Sequence, residues 1–149
     1  MERERLLPPT YLWLGLIAMG LLHFLLSGPR LVWSPWRFLG IPIALLGAWL
    51  SIRADAVFKE LRTEVKPFRE SRLVVAQGPF RFSRHPMYLG FMGVLAGLAV
   101  LGGTLLPLLL VGVMFWLLSV RFVLPEERHM EQQFGEEYRR YRSQVRRWL

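Results

Sequence analysis

The sequence predicts an all-α integral membrane protein with about four transmembrane helices and a C-terminal amphipathic interfacial helix. Three observations predict it. Of the 149 residues 53% are hydrophobic, and they fall in blocks separated by charged segments instead of being spread evenly. Four of those blocks approach the roughly 20 residues a helix needs to cross a ~30 Å hydrocarbon core. The 19 Lys and Arg residues lie mostly on alternate connecting segments, as in proteins that keep basic loops on the cytoplasmic side of a membrane. The chain reads as one membrane domain, 1–149.

The first helix is expected over 9–27. Its apolar run, Tyr11 to Ser27, follows a short charged start, which resembles a signal peptide. No small-x-small cleavage site follows, so it reads as a retained helix. His23 is its only strongly polar side chain, expected at the far interface or bonded to a neighbouring helix. Gly28-Pro29-Arg30 ends the run. Trp33 and Trp36 suit the headgroup level. The second helix is expected over 37–58, with Pro42 near its start, where a missing N–H matters least. Gly47 and Ala48 give it a close-packing face. Beyond Arg53 it turns charged and is expected to leave the bilayer. A cytoplasmic loop, 59–85, follows. It is basic and broken by Pro67 and Pro79, with an apolar island at Leu73-Val74-Val75 that either packs on helix ends or covers a ligand.

The third helix, 86–101, begins at Pro86, whose fixed φ suits a first helical position. Gly90, Gly93 and Gly97 share one face, fit for packing backbone on backbone or against a flat ligand. Gly102-Gly103-Thr104 makes a tight turn into the fourth helix, 105–124, which carries Pro107 in its first turn. The two helices therefore form a hairpin. Pro125 is expected to end the second arm. From there Met130, Phe134, Tyr138, Tyr141, Val145 and Trp148 recur at spacings of three and four. That is the apolar stripe of an amphipathic helix, 126–148, with a kink allowed at Gly135 and its arginines near lipid phosphates.

Charge sets the orientation. Seventeen Lys and Arg fall on one side of this arrangement, and only Arg30 and Arg37 on the other. Both termini and the loop before the third helix are thereby expected in the cytoplasm, in a prokaryotic inner membrane. The net charge of +8 is accounted for by orientation, so no nucleic-acid partner is expected. With no cysteine, disulfides, thiolate metal sites and Cys nucleophiles are excluded. The three histidines show no metal-ligand spacing, and no metal is expected.

The chemistry gathers on the basic side. Arg84-His85-Pro86-Met87-Tyr88 opens the third helix and Glu126-Glu127 closes the fourth. The hairpin makes these ends neighbours. A helix N-terminus offers free N–H groups and positive potential to a carboxylate. A glutamate opposite suits an ammonium or sulfonium, and Tyr88 adds a hydroxyl or a ring face. Together they match a zwitterionic amino-acid ligand that also carries a positive centre. Spacing alone favours a plainer reading: Arg84 as an interface anchor, His85 as a cap, and the glutamates as acids at a helix start.

The run Gly78-Pro79-Phe80-Arg81-Phe82-Ser83-Arg84-His85-Pro86-Met87-Tyr88-Leu89-Gly90, then Pro125-Glu126-Glu127 and Phe134-Gly135-Glu136-Glu137-Tyr138, resembles the isoprenylcysteine carboxyl methyltransferases. That family is related to the phospholipid N-methyltransferases. The resemblance covers roughly Thr63 to Trp148. It implies S-adenosylmethionine as methyl donor, S-adenosylhomocysteine as product, and a site without a Rossmann domain, in keeping with the absence of Gly-x-Gly after a strand. Carried over, it implies that His85 and Tyr88 contact the cofactor with Pro86 and Met87 lining it. Glu126 holds its amino-acid portion, Glu127 is a weaker and more structural candidate, and Leu73, Val74, Val75 and Phe80 wrap the adenosine.

In the eukaryotic carboxyl methyltransferases an arginine shortly before the acidic pair addresses the substrate carboxylate. Here Pro125 directly precedes the pair and Arg121 is the nearest upstream arginine. His85 and Arg121 are the candidate catalytic groups. The acceptor stays open between a prenylcysteine-like or isoprenoid carboxylate and a lipid amine, entering from the bilayer. Oligomers are permitted by the glycine faces. A non-catalytic scaffold or lipid-binding protein, or a relative of the sterol reductases, are the competing readings; the latter needs a longer chain.

Overall fold

The structure, a computed structural model, describes residues 7–26, 28–61 and 74–149. The described residues are helical, with no β-strand and only two isolated bridges, Arg30 with Thr104 and Ser83 with Arg146. The helices are α1 (Pro8–Leu25), α2 (Gly40–Glu60), α3 (Pro86–Gly102), α4 (Leu105–Leu118), α5 (Leu124–Phe134) and α6 (Glu136–Gln144). Three continuous stretches are long and apolar enough to cross a membrane: Pro8–Leu25, Trp36–Glu60 and Leu105–Phe134. The fourth expected span, α3, is apolar but has 17 residues, about 25 Å at ~1.5 Å per residue.

α3 is the axis of the bundle. One side meets α2 through glycines. A Cβ at Gly47 would stand 2.6 Å from the Gly90 carbonyl oxygen, and one at Gly97 would stand 2.4 Å from the Ala44 nitrogen. The two backbones touch with no side chain between them, so this glycine face serves helix packing. In a bilayer, where apolar burial between helices gains little, such close van der Waals contact holds helices together. The small partner on α2 is Ala44, one turn before the Ala48 singled out from sequence. The other side of α3 meets α1 and α4 in an apolar core of Met19, Phe91, Leu95, Ala99, Met114, Leu118 and Phe122. Leucines and aromatics of α1, α2 and α4 point outward, among them Trp13, Phe24, Leu45, Trp49 and Trp116.

The α3–α4 turn closes one end of the bundle. Gly103 takes φ +73° and caps α3 by donating its N–H to Ala99. Only a glycine fits: a Cβ there would sit 2.5 Å from the Val32 carbonyl oxygen. The Leu31 and Val32 N–H groups donate to the Gly103 carbonyl at 2.8 and 3.1 Å, and Leu105 N–H donates to Pro29 at 3.1 Å. His23 Nδ1 lies 3.3 Å from Thr104 Oγ1, so this histidine is tied to the turn of the neighbouring hairpin.

Two boundaries differ from the sequence reading. Pro125 does not end the fourth helix: the helical path is continuous from Leu105 to Phe134. The reason lies just upstream, where Ser119–Val123 forms a π-turn and Leu124 N–H reaches back to the Ser119 carbonyl. A proline inside a helix lacks an N–H and its ring crowds the carbonyl four residues earlier, here that of Arg121. A widened turn at that place relieves the crowding. Nor is 126–148 one helix. Gly135 adopts φ +51° and ψ −116° and ends α5. α6 folds back, and Arg139 and Arg142 both reach Glu131, at 3.2 and 3.1 Å. Val145 then turns to extended backbone, and the last residues run beside Ser83 and Arg84. The apolar stripe was real, with Tyr138 and Val145 buried. Its periodicity holds whether the chain continues straight or doubles back.

Candidate functional site

The site is built at the start of α3. Pro79 opens a short 3-10 turn, Gly78–Arg81, and the chain passes through Ser83 and Arg84 to His85, which precedes Pro86 at the first helical position. Ser83 holds the approach: its Oγ accepts the His85 N–H at 3.2 Å and donates to the Arg147 carbonyl at 3.1 Å. Tyr88, one turn into α3, is buried. Its ring stacks on Phe122, with centroids 6.2 Å apart and planes at 27°.

Against this helix start lie the two glutamates of α5, in neighbouring but separate roles. The Tyr88 hydroxyl donates to Glu126 Oε1. Glu127 is buried and held from three directions. Arg84 Nη2 lies 3.0 Å from Oε1, and His85 Nε2 lies 3.3 Å from the same oxygen. Arg147 grips both oxygens, with Nε at 3.0 and 3.2 Å and Nη2 at 2.8 Å. Such two-point Arg–carboxylate pairs are the strong form of the ion pair. His85 Nδ1 faces Glu126 Oε2 across 3.7 Å, too long for a hydrogen bond. Burial pushes the His85 pKa below its ordinary value, opposed by the hydrogen bond to Glu127 and assisted by the nearby Arg84 and Arg147 charges. Arg84 is 7% exposed at its side chain, yet among the described residues its Nε and Nη1 have no hydrogen-bond partner. Buried donors of this kind are rare in finished structures and mark a place where a partner belongs.

Of the residues singled out from sequence, His85, Tyr88, Glu126 and Glu127 come together here. Pro86 is fully buried beneath them. Met87 packs against both apolar clusters, and its carbonyl accepts the Ser51 hydroxyl at 3.2 Å. Val75 and Phe80 are buried against Ala54 and Val57 of α2, with the Phe80 ring edge-on to Phe58 at 5.0 Å. Val74 is partly buried, and Leu73 lies outside the described residues. Arg121 is exposed on the π-turn. Among the described residues it makes no hydrogen bond or ion pair with the cluster.

Three participants were not assigned from sequence: Arg84 as a partner of Glu127, Arg147, and Trp148. The Trp148 ring centroid lies 6.1 Å from that of His85 and 4.9 Å from that of Phe115. Gly135 was the available signal. A glycine inside an amphipathic stripe marks a possible chain reversal, and a reversal there returns the last residues to the motif.

Residues 36–137 match the phospholipid methyltransferase family. The protein-S-isoprenylcysteine O-methyltransferase of Schizosaccharomyces pombe is 25% identical over 154 residues, covering 89% of this chain and 64% of that protein. An uncharacterized protein of Haemophilus influenzae is 36% identical over 63 residues, covering 42% of this chain and 100% of that protein. The chain thus spans less than two thirds of the length of the Schizosaccharomyces pombe relative. No solved structure matches. The family match takes in α2, α3, α4 and α5, with Arg84, His85, Tyr88, Glu126 and Glu127 but not Arg147: the chain belongs to the phospholipid methyltransferase family.

Proposed function

We propose that the chain is a membrane methyltransferase that uses S-adenosylmethionine to methylate a lipophilic acceptor at the cytoplasmic face of the membrane. The single observation that carries the reading is the cluster at the start of α3, where acidic acceptors and unpartnered basic donors stand side by side. The residues suit the cofactor's amino-acid end. Glu126, with its second oxygen facing His85, suits an ammonium. Arg84 keeps two buried N–H donors without a partner, and the α3 N-terminus adds its own free N–H groups and positive potential, which together suit a carboxylate. Val75 and Phe80, buried against α2, would back the adenosine's surroundings from behind.

When bound, the cofactor supplies an electrophilic methyl on sulfonium, which passes to an oxygen or nitrogen lone pair and leaves a neutral thioether. The protein's part is placement: Tyr88, Glu126 and His85 orient the donor, and the buried surroundings keep water away. Holding two reactants in line can supply roughly 7–11 kcal/mol of the barrier. A carboxylate acceptor needs no base. An amine acceptor must first lose a proton, a role we assign to His85 or a glutamate. The isoprenylcysteine relative supports a carboxylate, and the family description supports a phospholipid amine. The seventeen-to-two distribution of basic residues supports a cytoplasmic site.

The test uses the full chain in lipid vesicles with methyl-labelled S-adenosylmethionine. Saturable S-adenosylhomocysteine binding is expected, and Glu126→Ala should weaken it about 10- to 100-fold, as expected for loss of a charged hydrogen bond. Label released from the lipid product by mild alkali marks a methyl ester; stable label marks a methylated amine. Absence of saturable binding in the unaltered protein sinks the proposal.

A further inference from the structure

The stretch Val145–Trp148 is not an appendage to an interfacial helix. Val145 is buried, Arg84 N–H donates to the Arg146 carbonyl at 2.9 Å, and Ser83 Oγ donates to the Arg147 carbonyl at 3.1 Å. Trp148 then covers one side of the His85 ring. This strap delivers the Arg147 side chain to Glu127, 20 residues away in sequence, and the two meet through three N···O contacts of 2.8–3.2 Å.

We propose that Arg147 is a positioning residue: by fixing Glu127 as an anion it sets the His85 ring with its proton on Nε2 and its Nδ1 lone pair bare, toward Glu126. The argument is one of proton counting. Arg147 occupies both Glu127 oxygens and Arg84 adds a third pairing on Oε1. Glu127 is therefore an acceptor only. His85 Nε2 stands 3.3 Å from Oε1, so a proton belongs on Nε2. A neutral imidazole has one such proton. Nδ1 is then an acceptor, 3.7 Å from Glu126 Oε2. The groups facing the ring are Arg84, Tyr88, Glu126, Glu127, Arg147 and Trp148. Burial raises the Glu126 pKa to about 7, so that carboxyl can carry a proton, but at 3.7 Å it makes no hydrogen bond to Nδ1; among the described residues none does, which leaves that lone pair for an N–H of a ligand. Arg147 thus acts on the site without touching anything bound there. Which nitrogen carries the proton follows from the partner the other one makes, and here that partner is set by the strap.

This inference gains its purpose from the methyltransferase reading, but its test does not depend on it. The full chain in detergent, with ¹⁵N-labelled histidine, is compared by NMR with Arg147→Gln, and His85 is identified by the signal lost in His85→Gln. The unaltered protein should show one tautomer near pH 7, protonated at Nε2. Arg147→Gln should lose that single pattern in favour of exchanging tautomers. Arg147→Lys keeps the charge but not the fork, and should fall between; it carries the comparison if Arg147→Gln does not accumulate. Arg142→Gln removes an arginine of α6 that pairs with Glu131 and not with the cluster, and should keep the original pattern. An unchanged His85 signal in the Arg147 variants, or an equal change in Arg142→Gln, overturns the proposal. Failure of the unaltered protein to bind S-adenosylhomocysteine would instead overturn the cofactor reading and leave this one standing.

Discussion

The two ends of α3 are built on opposite principles. At Gly97–Gly103 the helix is held by backbone: glycine contacts with α2, and hydrogen bonds from Leu31, Val32 and Leu105 across the turn. The polar side-chain contact there joins His23 to the Thr104 hydroxyl. At Ser83–Tyr88 the helix is held by charge, through buried Glu127 and the cations around it, with two donors of Arg84 left over. The first end is saturated and shape-limited. The second is sensitive to any change in charge and keeps two buried Arg84 donors that have no partner among the described residues. A scaffold needs only the first kind of end; an apparatus that binds something ionic needs the second.

That contrast can be broken in three ways. The largest effect is expected at the charged end. Glu127→Ala strands Arg84 in a buried place, and breaking a buried pair by removing one partner costs about 3–5 kcal/mol. Thermal melting in detergent reads it; a loss under 1 kcal/mol would mean that water reaches the cluster. Next comes the saturated end. Gly97→Leu drives a side chain into the α2 backbone and should cost about 3 kcal/mol, the upper range for overpacking. Gly112→Leu, where a new side chain meets open space, should cost almost nothing by the same assay. Equal effects of the two would remove the claim that close approach holds α2 to α3.

The smallest effect is expected from acid. Burial holds the His85 pKa below its unfolded value, so the unfolded chain binds the proton first. Stability from this group is complete above the unfolded pKa, about 6.5. It is lost as pH falls below that, with a slope of at most about 1.4 kcal/mol per pH unit, against an opposite contribution from Glu126, whose pKa burial raises to about 7. His85→Gln should remove that loss from a stability–pH curve.

Much of this was legible in the chain, and the failures share a cause. Block hydropathy located the helices, and Gly102-Gly103-Thr104 announced the hairpin that brings Tyr88 to Glu126. These are local signals, each contained within one helix or turn. What escaped were effects of one segment on another. Pro125 carries a strong stop signal, and only a compensating π-turn upstream cancels it. Met130 to Trp148 keep helical spacing on both sides of Gly135, so the pattern could not show the reversal, nor that Arg147 would arrive at Glu127. Glu127 ranked below Glu126 because its partners come from Arg84 and the strap, one segment before it in sequence and one after. Arg121 ranked high on proximity to the acidic pair along the chain, yet its side chain is exposed on the π-turn.

The π-turn also has a bearing on registration. Each residue of an α-helix turns the next by ~100°, and a π-turn slips one additional residue into the winding. The compass bearing of Glu126 and Glu127 about the rod is thus set by Ser119–Val123 as much as by their distance from Leu105. Deleting one residue there would keep every motif intact in the text of the sequence while turning both carboxylates away from Tyr88 and His85. Reading this protein by motif spacing alone therefore misses a phase, and the phase is stored five residues ahead of the acids that depend on it.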